Sequence, residues 1–596
     1  MQQNYLPVGN QYISIPKLNE DNAAIEDVTF LHMMSKGLLN IQGDASCPLM
    51  IPFVETDGIM HHPNNLEWRR LSYWIPTFSW NGRHFEVEGV ILAPIDERGF
   101  IYRLNIKNSS EQSRAYKLGL EGRWASSWHC VNENKRIDGT MNAYQSNWNN
   151  SFVFDMRCGL PLFSFAPITD TPCLSTFHES TTGFNYCLCH ETFLHPNESK
   201  TFTFYWGFGF EEVAAATSAK EMMRQGFTKE IENTLQWLES RICRFADKSV
   251  ENIYNTNLFF CIFFSTGHTL DTEELVLVTS RSPRYYVSAA YWDRDSLLWS
   301  FPAILDADPE LARELLLYVF GRQRRNIGTH SRYIDGTVLE PGFELDELMA
   351  PILALERYID KTKDREIIAS HNIISGIRDI LKKLETRRHP SVALYSTFLQ
   401  PTDDEIVYPY LTYNNVLVWK ALNALVKFSA EWSGLSLVAE DIRQSIQKHC
   451  IKTQNGKPFF SWSIDLEGNY DIYDEPPGSL QLLPYLGFCD QDDIAYKNTI
   501  EIIRSPEYAY SFYNCEFGEI GCPHAPHPWL LSVANSLLSG RVEESLDFLR
   551  RAKMDNGIVC ESIDENTGEC ATGEAFATCA GFVCHAIRAA LGKEQA

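Results

Sequence analysis

The 596-residue sequence predicts a multidomain α+β protein: a β-sandwich over residues 1–210, a helical linker over 211–245, and an α/α barrel over 246–596. Three observations predict this. Short alternating runs fill the first third. The alternation stops near Glu211. From about residue 246, apolar residues recur at helical spacing almost to the end.

The sandwich rests on runs such as Phe100–Ile106, Arg114–Leu120, Ser151–Asp155 and Thr201–Trp206, separated by polar turns such as Asn108-Ser-Ser110 and Asn149-Asn150. Residues 211–245 carry Ala, Glu, Met and Lys at helical spacing and contain no proline. Beyond them, Leu311–Phe320, Leu348–Tyr358, Asn415–Glu431, Trp529–Ser539, Val542–Ala552 and Glu574–Leu591 read as helices. About a dozen helices without a matching 20–50 residue repeat point to a closed ring of helical hairpins, not a solenoid. The loops between them are long and rich in Gly, Pro, Asp and aromatics, which is where a site belongs.

Composition excludes several classes. Hydrophobic residues make up 44% and charged residues 22%, so the chain folds and disorder is excluded. Lys and Arg number 52 against 77 Asp and Glu, a net charge of −25, which argues against a nucleic-acid partner. No apolar stretch reaches about 18 residues, so no membrane span is expected. The N-terminus lacks a basic and then apolar leader, so the 16 cysteines are expected as reduced thiols in a cytoplasmic protein. Phosphate loops, dinucleotide fingerprints and nucleophile elbows are absent. The 14 Trp, 26 Tyr and 35 Phe suit either a large core or a sugar site, since sugar C–H faces stack on rings.

Five loop segments combine acids with aromatics. In Tyr291-Trp-Asp-Arg-Asp-Ser296, Asp293 and Asp295 flank Arg294, and carboxylates so placed can bind sugar hydroxyls or serve as helix N-terminal charges. Leu339-Glu-Pro-Gly-Phe-Glu-Leu-Asp-Glu347 holds four acids within eight residues. Such crowding keeps a carboxyl protonated near neutral pH, as a general acid requires; the plainer reading is a helix cap at Asp346. Asp403-Asp404-Glu405, followed by Tyr408–Asn415 with Tyr413, supplies acids, rings and amides, or else an exposed acidic turn. Tyr473–Ser479 and Cys515–Trp529 form the fourth group. His524, His527 and Trp529 suit a proline-stiffened sugar loop, and the Cys515, Cys522, His524, His527 spacing matches no standard zinc motif, so no metal is expected. In the fifth, Glu561 follows the apolar Gly557-Ile-Val559 and is expected at the edge of a core, as a fixed base.

With these segments in view, the helical part resembles the inverting glycoside hydrolases built on an (α/α)6 barrel. Trp292-Asp-Arg-Asp-Ser-Leu297 is similar to their Arg-Asp-Ser segment lining the terminal-sugar subsite. Phe343-Glu-Leu-Asp-Glu-Leu348 is similar to the Trp-Glu-Leu-Asp-Ser-Leu element of the metal-independent exo-α-1,6-mannosidases, and Ala350–Asp364 resembles the bacterial glycogen-debranching glucosidases. Cys560-Glu-Ser562 is similar to the mannosidases' His-Glu-Ser. The resemblance implies Asp346 as general acid and Glu561 as general base. It further implies Asp293, Arg294 and Asp295 as contacts of the terminal sugar, with an oligosaccharide substrate and no cofactor; from the loop segments themselves, Tyr291, Trp292, Glu344, Asp404, Tyr413, His524, His527 and Trp529 are expected as further substrate contacts. Phe343 and Glu347 depart from the mannosidase element, and a sandwich domain is common instead in debranching, glucoamylase and disaccharide-phosphorylase relatives. The expected function is exo-acting, inverting hydrolysis of a terminal α-mannosyl or α-glucosyl sugar. The alternatives are a disaccharide phosphorylase or a non-catalytic sugar binder. Self-association into a homo-oligomer is left open.

Overall fold

The computed structural model describes residues 3–592. The chain divides into two compact units: residues 1–242 with 266–276 and 280–289, and residues 243–265 with 277–279 and 290–596.

The first unit is built mainly of three large antiparallel sheets. The first runs, in spatial order, through Tyr5–Gly9, Ile13–Asn19, Asp27–His32, Gly37–Gln42, Ser126–Val131 and Glu133–Arg136. An eight-stranded sheet has Ser151–Cys158, Leu160–Thr169, Ser199–Gly209 and Gly99–Asn108 at its centre, and a five-stranded sheet centres on Arg114–Trp124. Alternation along Gly99–Asn108 and Arg114–Trp124 sends every second side chain inward. There Trp124, Phe154, Phe165 and Trp206 build an aromatic core; the Trp124 and Phe165 rings meet edge to face at 5.3 Å.

Helices α1 (Glu212–Gln225) and α2 (Phe227–Glu239) follow the last strand and belong to this same unit. α1 buries Ala215, Ala216, Ala219 and Met222 on the eight-stranded sheet. The approach is close because position 207 is glycine: a Cβ there would lie 2.3 Å from both the Ala215 carbonyl and the Ala219 amide.

The second unit contains α3 (Lys248–Ser265), α4 (Phe301–Ala307), α5 (Pro309–Gly321), α6 (Leu345–Thr362), α7 (His371–Glu385), α8 (Thr412–Phe428), α9 (Leu435–His449), α10 (Ile494–Ile503), α11 (Leu530–Leu538), α12 (Val542–Arg551) and α13 (Ala577–Leu591). Two kinds of helix are present. α3, α6, α11 and α13 are buried over most of their circumference, as their near-continuous apolar sequences require. α7, α9 and α12 bury one stripe and carry Lys, Arg and Glu on the other face. α13 packs on α3 and α11, and α6 packs on α5 and α8.

Short hairpins lead into the helix N-termini. Thr329–Arg332 pairs with Val338–Phe343 directly before α6, and Ser562–Ile563 pairs with Cys570–Thr572 before α13. Among the described residues no helix is long and apolar enough to cross a membrane.

Candidate active site

The centre of the site is Arg294, which begins a π-helical turn, Arg294–Ser300, running into α4. Such turns widen the helix and re-aim side chains, and they recur at functional sites. The guanidinium is buried. Its Nη1 donates to Glu344 at 2.5 Å and to Asp346 at 3.1 Å, and its Nη2 donates to Asp403 at 2.5 Å. Glu347 and Asp295 stand at 3.8 Å. One guanidinium thus faces five carboxyl groups, four of them buried and the fifth, Asp403, 35% exposed. Burial is the largest influence on Glu344 and Asp295 and raises each to about 7, while Glu347 is pushed well above the ordinary carboxyl range.

The Glu-Leu-Asp-Glu segment is placed by the start of α6. Glu344 takes the extended N-cap position without a side-chain cap, and Asp346 and Glu347 occupy the first turn, fully buried. Asp346 is therefore no helix cap. Its Oδ2 accepts from Arg294, and its Oδ1 accepts from Asn414 Nδ2 at 3.3 Å. The helix N-terminus adds a favourable field for negative charge. The preceding hairpin carries His330, which bonds Glu344, and Arg332, which pairs with Asp293. Burial pulls His330 down, but its bonds to Glu340 and Glu344 and the charge of Asp403 outweigh it, leaving the imidazole at about 10.

The other acids divide into those facing this cluster and those held elsewhere. Asp293 is fully buried and accepts from Tyr291 at 2.6 Å and from Arg332, so both Tyr291 and Asp293 are engaged within the protein. Trp292 lies edge-on to His330 at 5.6 Å between ring centroids. Tyr413 is buried at the start of α8, directly before Asn414. In the acidic turn it is Asp403, in a left-handed conformation (φ 69°), that reaches Arg294; Asp404 pairs with His524 at 3.5 Å instead. His527 meets Glu565 at 2.9 Å, and Trp529 is buried with its indole N–H on the Ala525 carbonyl.

Glu561 is buried on a strand-like segment beside Trp529: its carbonyl accepts from the Leu530 amide at 3.0 Å, and Thr572 Oγ1 donates to its Oε2 at 2.7 Å. The backbone bends back at Gly573 (φ 61°), where a Cβ would lie 2.4 Å from the Glu561 Cβ. Glu561 and Asp295 both act on the buried Cys579 thiol, which burial first and then these two carboxylates raise. Glu561 and Asp295, a member of the Arg294 cluster, thus share one neighbour, Cys579.

Sequence reasoning assigned no individual site role to several participants: His330, Glu347, Asp403, Asn414, Thr572 and above all Glu475. Glu475 accepts from the Thr402 amide at 3.0 Å, the Thr402 hydroxyl at 2.9 Å and Tyr473 at 3.2 Å, and burial pushes it well above the ordinary carboxyl range. Its signal was the Asp-Glu-Pro-Pro-Gly segment, in which an acid directly before two prolines is held in an extended backbone. Among the described residues, His330, Glu344 and Asp403 offer ligand atoms within 4.8 Å of one another, but Arg294 already bonds both carboxylates.

Residues 388–588 match the profile of the metal-independent alpha-mannosidase family GH125. The resemblance to the metal-independent alpha-mannosidases read from the sequence is thus borne out. The matched stretch takes in Asp403, Glu475 and Glu561 and begins after α6. A curated relative, the meiotically up-regulated gene 157 protein of Schizosaccharomyces pombe, is 28% identical over 190 residues, 29% of this chain; the match spans 37% of that relative's length. A metal-independent alpha-mannosidase of Streptococcus pneumoniae, solved with alpha-1,6-mannobiose, aligns with a TM-score of 0.52 at 18% identity, covering 58% of this chain and 94% of its own. A bacterial glucoamylase complexed with acarbose aligns over 99% of this chain and 95% of its own, with a TM-score of 0.67 at 12% identity. A human-microbiome protein assigned to kojibiose phosphorylase aligns over 98% and 86%, at 0.61 and 12%. The last two take in the sheet unit as well as the helical one, so the chain has the fold of a sheet domain joined to a glycosidase-type helical domain.

Proposed function

We propose that the chain is an exo-acting, inverting glycoside hydrolase cleaving a terminal α-linked mannosyl or glucosyl sugar from an oligosaccharide. In this reading the helices of residues 246–596 close an (α/α)6 toroid, with the fully buried helices as its inner ring. The observation that carries the proposal is the cluster on Arg294, which holds Asp346 in the first turn of α6 and includes Asp295, the carboxylate that acts with Glu561 on Cys579.

Asp346 protonates the leaving oxygen. Glu344 and Glu347, held above the ordinary carboxyl range by burial, stand beside it in the same cluster. Glu561, fixed by Thr572, deprotonates the water that attacks the anomeric carbon from the opposite face. Single displacement then requires the two carboxyls to stand roughly 6.5–9.5 Å apart around that water. Trp292, Tyr413, His524, His527 and Trp529 form walls and donors for the sugar; Asp404 acts through His524. No cofactor is used, since Arg294 supplies the positive charge inside the acidic cluster.

The likeness to a phosphorylase over 98% of the chain favours one second reading, in which phosphate takes the place of water. Proton NMR of the anomeric signals separates the two. In phosphate-free buffer with alpha-1,6-mannobiose and α-glucosyl disaccharides, the expected result is a free sugar of inverted configuration. Retention would overturn the two-carboxylate reading, and turnover only on adding phosphate would establish the phosphorylase.

A further inference from the structure

Glu475 is a fully buried carboxyl with no part in the steps proposed above. Its segment, Tyr473–Ser479, is braced from within: Asp474 accepts from the Ser479 hydroxyl at 2.6 Å and from the Leu480 amide at 2.7 Å. Gly478 lies so close to its neighbours that a Cβ there would stand 2.5 Å from Pro401 Cγ and 2.9 Å from Tyr413 Cδ1. The segment is thus built against the turn at residues 401–404 and against the start of α8.

Within that contact Glu475 grips Thr402. The Thr402 amide donates to Oε1 at 3.0 Å, and the hydroxyls of Thr402 and Tyr473 lie 2.9 and 3.2 Å from Oε2. A hydroxyl can donate or accept, so both of those contacts survive whether or not Glu475 carries a proton. The amide can only donate, and Oε1 receives it in either state.

Asp403 follows Thr402 directly. Its backbone is left-handed (φ 69°), a conformation that a residue with a Cβ keeps only where its surroundings fix it. Its side chain is 35% exposed, whereas the other four carboxyls around Arg294 are buried. Asp403 holds Arg294 Nη2, while Nη1 holds Glu344 and Asp346. A guanidinium is a rigid plane, so fixing one prong fixes the other.

We infer that Glu475 is a positioning residue: by clamping Thr402 it keeps Asp403 on Arg294, and through the guanidinium plane it sets the orientation of Asp346. The inference rests on the reading of Asp346 as general acid.

The test compares two substrates and adds a crystal structure. Alpha-1,6-mannobiose or an α-glucosyl disaccharide needs its leaving oxygen protonated; the dinitrophenyl α-glycoside of the same sugar does not, because dinitrophenolate departs without a proton. Glu475→Leu removes the acceptor. Its kcat on the disaccharide should fall about 10-fold or more, part of the roughly 10²–10⁴-fold that a placed general acid supplies, while kcat on the dinitrophenyl glycoside falls much less. Glu475→Gln keeps an acceptor for the Thr402 amide and donors for the two hydroxyls, so it should lose far less than Glu475→Leu. Crystals of Glu475→Leu should show Asp403 turned away from Arg294. Equal losses on the two substrates, equal losses in the Gln and Leu variants, or Asp403 still bonded to Arg294 in Glu475→Leu would overturn the proposal. Asp346→Asn is the separate control. If it loses both substrates alike, Asp346 is not the acid, and the crystal structure then decides by itself whether Glu475 keeps Asp403 on Arg294.

Discussion

Arg294 Nη1 donates to Asp346 Oδ2 at 3.1 Å, joining a π-helical turn to the first turn of α6. Because the same guanidinium also bonds Glu344 and Asp403, the proposed acid is oriented by a residue 52 positions earlier in the chain.

Replacing Asp346 by Asn keeps the shape and the Asn414 contact but removes the transferable proton. Turnover should fall by several orders of magnitude, since general acid catalysis alone contributes roughly 10²–10⁴-fold, while the thermal transition persists. Near-normal turnover in this variant would remove Asp346 from the mechanism.

Arg294→Met should be far more damaging to stability. Removing one partner of a buried ionic cluster costs about 3–5 kcal/mol, because the remaining charges lose their compensation. Arg294→Lys should not rescue it, since an ammonium cannot span Glu344, Asp346 and Asp403 as the fork does. Denaturant melts would measure both.

At Gly573 an alanine would meet Glu561 and would be held at positive φ. Gly573→Ala should lose about 1–3 kcal/mol and should lower kcat more than it raises KM, because it shifts the proposed base instead of the sugar walls. Thr572→Val, which removes the 2.7 Å bond to Glu561, should depress kcat without the stability loss. If kcat is untouched in both, Glu561 is not the base.

Stability should fall as pH rises. Glu344 and Asp295 stand at about 7 in the folded protein, above their ordinary values, so the native state holds protons that the unfolded chain releases between about pH 4 and 7. His330, at about 10, acts in the same direction over a higher window: its contribution is complete below about pH 6.5 and is lost as pH passes through 10. The melting temperature should therefore be lower near pH 8.5 than near pH 5.5, and the gap should narrow in Glu344→Gln. A rise in melting temperature across that range would contradict this assignment.

Turnover should be indifferent to EDTA, because the acidic cluster is satisfied by Arg294 and His330. Loss of activity on chelation, restored by a divalent ion, would place a metal in the reaction.

The sequence by itself determined the two-part architecture, because period-2 and period-3.6 patterns are local properties of the chain. The strands of the first third and the helices through Leu311, Leu348, Asn415, Trp529 and Val542 were legible on that basis. So was the crowding of Glu344, Asp346 and Glu347, whose mutual repulsion required partners from elsewhere. Which partners came was decided only by tertiary structure. Arg294 reaches back from a π-helical turn, His330 and Arg332 arrive on a hairpin, and a left-handed Asp403 turns toward Arg294 where its neighbour Asp404 turns to His524. Glu475 became prominent only once Thr402 and Tyr473 were seen to close around it. The physical reason is range: backbone periodicity is set by neighbours a few residues apart, whereas the charge state of a buried carboxyl depends on desolvation and on groups brought together across tens to hundreds of positions by packing.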